Sequence, residues 1–480
     1  MYPSQGMDNT NMDSKEVKFL QSAMTEENPF MTTSACLEWL ERQRKQTHIQ
    51  IEQIPFAKLR KWYFDKDTGN LCHESGRFFS IEGVHIKTNY GFMSEWSQPI
   101  INQPEIGILG IITREINGIL YFLMQAKIEP GNINYVQLSP TLQATKSNYT
   151  KIHKGESPEY LEYFTDKSKS RVLLDQLQSE QGARFLKKRN RNIIVEVNED
   201  IHLKNNFCWL TLGQIIRLME YDNVVNMDTR TVISGIQFGS LSPEQTEIYQ
   251  KEHSEFQPDL FTSMFDNKQA LNTIDEIISW MTGLKIKYEL DVERIPLNHV
   301  QRWHKDDYEI YHETKNYFSV IAVLVEIGNR EVTSWTQPLV RAAQEGIIAF
   351  LVRKINGIYH FLVQAKLEAG NFDILEMAPT VQCITGNYRN VSSEQRPPFL
   401  DYALNVKPEQ IKYSTHQSEE GGRFYREQNK NMIIEVDDSF PPETPGDYIW
   451  MTLNQLKQFI KYNNYLNIQA RGLLAAIGLK

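Results

Sequence analysis

Trp96-Ser97-Gln98-Pro99 returns as Trp335-Thr336-Gln337-Pro338, and this offset of 239 residues decides the architecture. It also carries Arg114-Glu115-Ile116-Asn117-Gly118 onto Arg353-Lys354-Ile355-Asn356-Gly357, and Gln125-Ala126-Lys127-Ile128-Glu129 onto Gln364-Ala365-Lys366-Leu367-Glu368. Further matches are Pro140-Thr141-Leu142-Gln143 with Pro379-Thr380-Val381-Gln382 and Gln178-Ser179-Glu180 with Gln417-Ser418-Glu419. Arg184-Phe185 falls on Arg423-Phe424, and Asn226 with Arg230 falls on Asn467 with Arg471 after a two-residue insertion. Self-similarity at one long period means two copies of one folding unit joined head to tail. The expected organisation is a mobile tail over 1–30, a first repeat over 31–237, a polar linker over 238–273 and a second repeat over 274–480.

Around this repeat the composition is that of an ordinary globular protein: 480 residues, 41% hydrophobic, formal charge −9. A net negative field argues against a partner recognised through its phosphate backbone or an anionic bilayer. No apolar run reaches the roughly 18 residues of a membrane span, and residues 1–30 lack the apolar centre of a signal peptide, so a cytoplasmic protein is expected. Cys36, Cys72, Cys208 and Cys383 lie far apart, without metal-site spacing.

Within each copy, Asn117-Gly118 and Asn356-Gly357 sit between apolar runs, the pattern of a two-residue type I′ hairpin. On the strand that follows, parity puts Phe122, Met124, Ala126 and Ile128 on a core face, and Leu123, Gln125, Lys127 and Glu129 on the other. Ser179 reads as the N-cap of a helix through Arg189, which would align Arg184, Lys187, Lys188 and Arg191 on one face fit for a diphosphate. A solvated charged face is the plainer reading of the same spacing. Neither a G-x-G-x-x-G opening a βαβ unit nor a G-x-x-x-x-G-K-[ST] loop occurs, so no nicotinamide or ATP cradle is expected.

The stretches WSQPIINQPEIGILG (96–110), LMQAKIEPGN (123–132), LSPTLQATKSNY (138–149), QLQSEQGARFLKKRNRN (176–192) and NMDTRTVIS (226–234) closely resemble the NDP-hexose 2,3-dehydratase family. The resemblance implies an α+β chain of two duplicated Nudix-like domains, each a mixed β-sheet with flanking helices, commonly homodimeric. It implies redox-neutral dehydration of dTDP-4-keto-6-deoxy-D-glucose, with no cofactor expected and no metal ligand named, and an NADPH-dependent 3-ketoreductase that consumes the unstable product. Neither copy carries the R-E-x-x-E-E helix of Nudix hydrolases, so metal-assisted diphosphate cleavage has no ligand set here. A non-catalytic nucleotide-sugar binding protein and a dehydratase of a related 4-keto sugar nucleotide are the competing readings.

Removing a proton beside a ketone and expelling a β-hydroxyl needs a base, an acid and donors for the enolate oxygen. Glu129 is the first candidate base and Glu105 the second, with Lys127 for the enolate and Tyr149 as acid. Glu129 with Lys127 could equally be a surface ion pair, and Tyr149 a packed aromatic. For nucleotide-sugar binding the candidates are Trp96, Gln98, Asn132, Gln143, Thr145, Asn148, Arg184, Lys188, Arg191 and Arg230. Their counterparts in a second pocket would be Trp335, Lys366, Asn387, Arg423, Lys430 and Arg471. Polar function thins from first copy to second, as when Gln103-Pro104-Glu105 becomes Ala342-Ala343-Gln344. The first copy is therefore expected to hold the chemistry.

Overall fold

A computed structural model describes residues 14–146, 157–239, 256–265, 267–328, 333–388, 391–392, 395–437, 440 and 443–478. In the first repeat, strand Gly107–Ile116 turns through Asn117 (φ 51°) and Gly118 (φ 80°) into Ile119–Ile128, the left-handed pair a type I′ turn demands. Strand Arg189–Glu196 lies parallel to Gly107–Ile116, and Arg171–Ser179, Phe207–Thr211, Val136–Ser139 and Leu142–Ala144 complete a mixed sheet of antiparallel neighbours. The second repeat builds the same sheet from its own strands, with Gly346–Ile355 parallel to Gln428–Glu435. The chain is thus a tandem α+β duplication.

This sheet is covered on both faces. Phe122 and Met124 enter one apolar cluster while Leu123 enters another, all without exposure, so the expected polar face begins only at Gln125 and ends in Lys127 and Glu129.

A smaller sheet in each repeat is completed by the other repeat. Strand Leu290–Ile295 of the second copy pairs with Ser80–Thr88 of the first, from Leu290↔Thr88 to Ile295↔Gly83. Reciprocally, Ile49–Ile54 of the first copy pairs with Ser319–Ile327 of the second. Gly83 permits the crossing, because a Cβ there would stand 2.5 Å from Val300 Cγ2 and 2.9 Å from the Ile295 carbonyl oxygen. One apolar cluster then spans both copies, joining Ile54, Ile81 and Ile101 to Leu297, Val320 and Val340.

Two boundaries differ from expectation. Helix Lys15–Met24 buries Phe19, Leu20 and Ala23, and its Ser22 hydroxyl donates to the Leu120 carbonyl, so the expected tail is folded from there on. Helix Phe256–Phe265 is its counterpart inside the expected linker: Ser263 donates to the Tyr359 carbonyl as Ser22 does to Leu120. Each repeat therefore starts earlier than its motifs suggest.

The largest correction concerns residues 179–189, which form no helix. Ser179 ends strand Arg171–Ser179, a tight turn follows, and Arg189 opens the next strand. The turn is locked against the other repeat by backbone: the Gly370 amide donates to the Gly182 carbonyl (2.7 Å) and the Lys187 amide to the Gly370 carbonyl (2.7 Å). In mirror fashion, the Gly131 amide donates to Gly421 (2.6 Å) and the Arg426 amide to Gly131 (2.6 Å). A Cβ on Gly131 would lie 1.7 Å from the Phe424 carbonyl oxygen, which no side chain tolerates. Gly131→Ala should therefore lower stability by about 1–3 kcal/mol or more by overpacking. Gly283→Ala, in a helix with open space around it, should be neutral or stabilising by about 0.5–1 kcal/mol. Denaturant titration of both variants checks the contrast.

Candidate functional site

Where the 420–423 turn of the second repeat meets the 129–132 loop of the first, buried polar groups converge. Glu129 is 4% exposed; its Oε1 accepts from Gln143 Nε2 (2.6 Å) and its Oε2 from Asn132 Nδ2 (3.4 Å). Gln143 is held by Asn226, whose Nδ2 donates to Gln143 Oε1 (3.3 Å), while Lys127 Nζ donates to the Gln143 carbonyl (3.3 Å). Asn226 cannot drift, because its own Oδ1 caps helix Met227–Ser234 at the Thr229 amide. Asp228, in the first turn of that helix, is 3% exposed, and among the described residues no hydrogen bond reaches its carboxylate. The second repeat adds Glu420 and Arg423, whose Nε donates to Gln103 Oε1 (3.2 Å) and whose guanidinium stacks 4.3 Å from the Phe79 ring centre.

Burial sets the electrostatics. Loss of water pushes Glu420 up to about 7, aided by neighbouring Glu129 and Glu180 and opposed by Arg423. Burial first, then Glu420, Glu129 and Glu180, raise Asp228 well above the carboxylate range, with Lys127 opposing. Lys188, whose ammonium donates to the Glu105 carbonyl, is lowered to about 8 by desolvation, against the pull of Glu180.

The mirror site has the same frame and other charges. Gln382 Nε2 donates to Glu368 Oε1 (2.9 Å), Asn467 Nδ2 to Gln382 Oε1 (2.7 Å), and Lys366 Nζ to the Gln382 carbonyl (3.3 Å). Gln469 stands for Asp228, Gln181 for Glu420 and Glu427 for Lys188. Arg184 stands for Arg423: its guanidinium lies 4.2 Å from the Phe318 ring centre, near Glu427, Glu368 and Glu419 of the second repeat. Ala342 replaces Gln103 there, and Arg184 Nε has no hydrogen-bond partner.

The expected residues therefore sort unevenly. Glu129, Lys127, Asn132 and Gln143 come together with Lys188 in the first site, and Glu105 reaches it through its backbone carbonyl. Arg184 belongs to the mirror site and Arg423 to the first, the reverse of the expectation, because the turn carrying each arginine docks on the opposite repeat. Arg191 is at the surface, paired at two points with Asp175 (2.6 and 2.7 Å), so it does not join a diphosphate site. Arg230 and Arg471 are 4% and 1% exposed and clamp the repeats together, Arg230 on the Ser418 carbonyl and Arg471 on Ser179 and Thr231. Trp96 donates to Gln98 (3.0 Å), which donates to the Ala183 carbonyl (3.1 Å); Trp335, Gln337 and Gly422 repeat the chain. These tryptophans brace the turns. Thr145 follows strand Leu142–Ala144, and Asn387 lies in the turn Thr385–Tyr388 with its Oδ1 buried and unpartnered. Lys430 lies in strand Gln428–Glu435, opposite His416. Asn148 and Tyr149 lie outside the described residues. Asp228 and Glu420 escaped the sequence reading, although comparing the copies at 228/469 and 420/181 would have flagged both.

Buried carboxylates of raised proton affinity stand here beside a guanidinium, an ammonium and fixed amides, the kind of cluster from which a candidate site is read. The NDP-hexose 2,3-dehydratase family model matches twice, over residues 33–236 and 274–477. A dTDP-4-dehydro-6-deoxy-α-D-glucopyranose 2,3-dehydratase of Saccharopolyspora spinosa is 47% identical over 96% of this chain and 94% of its own length. Enzymes of the same name from Amycolatopsis orientalis (44% identical; 95% and 92% covered) and Streptomyces violaceoruber (41%; 92% and 95%) also match. This chain belongs to the NDP-hexose 2,3-dehydratase family.

One buried carboxylate offers a pH test. Glu376 is 1% exposed, accepts from Ser179 (2.9 Å) and is raised to about 7 by burial, with Arg471 opposing; Gln137 stands in its place in the first repeat. A folded value above the unfolded one means its stabilising contribution is complete below about 4.5 and is lost as pH rises through 7. Glu376→Gln should therefore leave the melting temperature near wild type at pH 4.5 and raise it relative to wild type at pH 8.5, as thermal scans at the two pH values will show.

Proposed function

We propose that this chain is a sugar-nucleotide 2,3-dehydratase that acts on dTDP-4-keto-6-deoxy-D-glucose and gives a 3,4-diketo-2,6-dideoxyhexose nucleotide. The observation that carries this reading is full-length kinship with three dehydratases of that specificity, joined to a buried acid-amide cluster in the first repeat. The C4 ketone acidifies the C3 proton, and Glu129 takes it; its hydrogen bonds to Gln143 and Asn132 support this reading by fixing the carboxylate. Lys127 supplies positive charge for the enolate oxygen, and Glu105 is the alternative base. Departure of the C2 hydroxyl as water leaves an enol that tautomerises to the diketone, a redox-neutral sequence.

Arg423 and Lys188 supply cations for the diphosphate, and a guanidinium suits phosphate oxygens best. The mirror site, with Lys366, Arg184 and Asn387, is a second nucleotide-sugar pocket or a structural relic. Tyr149 and Asn148 keep their proposed roles as acid and sugar contact. The parallel strand pair inside each mixed sheet supports a Nudix-like kinship for both repeats. A homodimer, a cytoplasmic location and a separate NADPH-dependent 3-ketoreductase acting on the product complete the reading.

Incubating the protein with dTDP-4-keto-6-deoxyglucose in deuterated water, with and without the reductase and NADPH, tests it by mass spectrometry. Loss of one water with deuterium gained at C2, trapped as the reduced dideoxysugar only with reductase, is the expected result; bound but intact substrate favours a binding protein. Glu129→Gln should lower turnover at least about 100-fold with folding intact. Arg423→Ala should weaken first-site binding by about 1.5–3 kcal/mol, the worth of a charge-assisted bond, measured by calorimetry with dTDP.

A further inference from the structure

Two of the positions that differ between the mirror sites exchange a carboxylate in the first for an amide in the second. Asp228 and Glu420 face Gln469 and Gln181, so a pair of carboxylates in the first site is a pair of amides in the second. The shared frame of Glu129/Glu368, Gln143/Gln382 and Asn226/Asn467 is common to both and cannot account for a difference in chemistry.

Asp228 is fixed by its helix yet lacks a hydrogen-bond donor among the described residues, although it is 3% exposed. A buried ionised carboxylate without donors costs several kcal/mol, so this one holds its proton. The charged groups acting on it are Glu420, Glu129 and Glu180 on one side of the balance and Lys127 on the other, with Arg423 and Arg230 also within its field. In the same cluster Asn132, bonded to Glu129, has its Oδ1 buried and unpartnered, where a Cβ on Gly421 would stand 2.3 Å away. The mirror Asn371 Oδ1 is unpartnered as well, so the orphaned acceptor belongs to the shared frame, and the unengaged acid is what sets the first site apart.

Resting on the dehydratase reading above, we infer that Asp228, in place of Tyr149, is the general acid that protonates the departing C2 hydroxyl, and that Glu420, delivered by the second repeat, positions and holds that proton. The bookkeeping closes: Glu129 takes the C3 proton, the C3–H pair becomes the C2=C3 bond, and the C2–O bond breaks with its oxygen leaving as water on the Asp228 proton. Glu129 ends protonated and Asp228 ionised, and Glu420, coupled electrostatically to both, serves the proton's return. The second repeat is thus a positioning element of the first repeat's chemistry, and not only a second copy.

The test uses the full-length chain with the substitutions Asp228→Asn and Glu420→Gln, the latter copying the residue at the mirror position. Three readouts are followed: water loss from dTDP-4-keto-6-deoxyglucose, exchange of the C3 proton into deuterated water, and dTDP affinity. Asp228→Asn should retain C3 exchange and dTDP affinity within about threefold while water loss falls at least about 100-fold, a split that a merely structural role would not produce. Glu420→Gln should lower water loss by about 10-fold or more and move the alkaline limb of the pH–rate profile. Water loss by Asp228→Asn near the wild-type rate, or loss of C3 exchange together with water loss, overturns the assignment. Should the wild-type chain bind the sugar nucleotide and remove no water, the dehydratase reading itself has failed, separately from the role of Asp228.

Discussion

Four backbone hydrogen bonds hold this molecule in register: Gly131 with Gly421 and Arg426 in one half, Gly370 with Gly182 and Lys187 in the other. Each needs glycine, because the partner's carbonyl occupies the space a Cβ would take. With those turns docked, Arg423 and Glu420 reach the first site and Arg184 and Gln181 the second. The exchanged strands Ile49–Ile54 and Leu290–Ile295 secure the same arrangement from outside, and Arg230 and Arg471 from within. Neither site exists in one repeat alone.

Such reciprocity explains how the copies diverged without disturbing the fold. The Gln143–Asn226 part of the frame that orients Glu129 recurs around Glu368 as Gln382–Asn467, without a counterpart of the Asn132 bond, since it also ties a helix N-terminus to the sheet. Residues beyond the ladder changed in charge: Asp228 against Gln469, Lys188 against Glu427, and Glu420 against its isostere Gln181. Gln103 and Ala342 follow the arginines, so one guanidinium has an acceptor at Nε and the other has none. Charge could change on one side because the scaffold does not depend on it.

Much of this was legible in the chain. The duplication, the Asn-Gly hairpins and the closing helices Leu212–Leu218 and Leu453–Phe459 rest on local patterns, and local patterns survive folding. The strand exchange does not, since Ile49–Ile54 has the same alternation whichever sheet receives it. Residues 180–189 misled because cations at helical spacing also fit an irregular turn, and Gly182 had to be seen against Asn371 before its meaning appeared. Lys127, Glu129, Asn132 and Gln143 were found from strand parity and family likeness; Asp228 and Glu420 were hidden in a short helix and the other copy's turn.

The exchanged strand also imposes an order on biosynthesis. Ile49 pairs with Ile327, so the first strand to leave the ribosome waits for nearly three hundred residues before its partner exists. Through that interval the Ser80–Thr88 edge is open as well, awaiting Leu290–Ile295. Unpaired edges of this kind recruit strands from neighbouring chains, and contacts of such long range form slowly. A nascent first repeat therefore presents open edges, and the covalent tether, by its high effective concentration, favours exchange within one chain over exchange between neighbours.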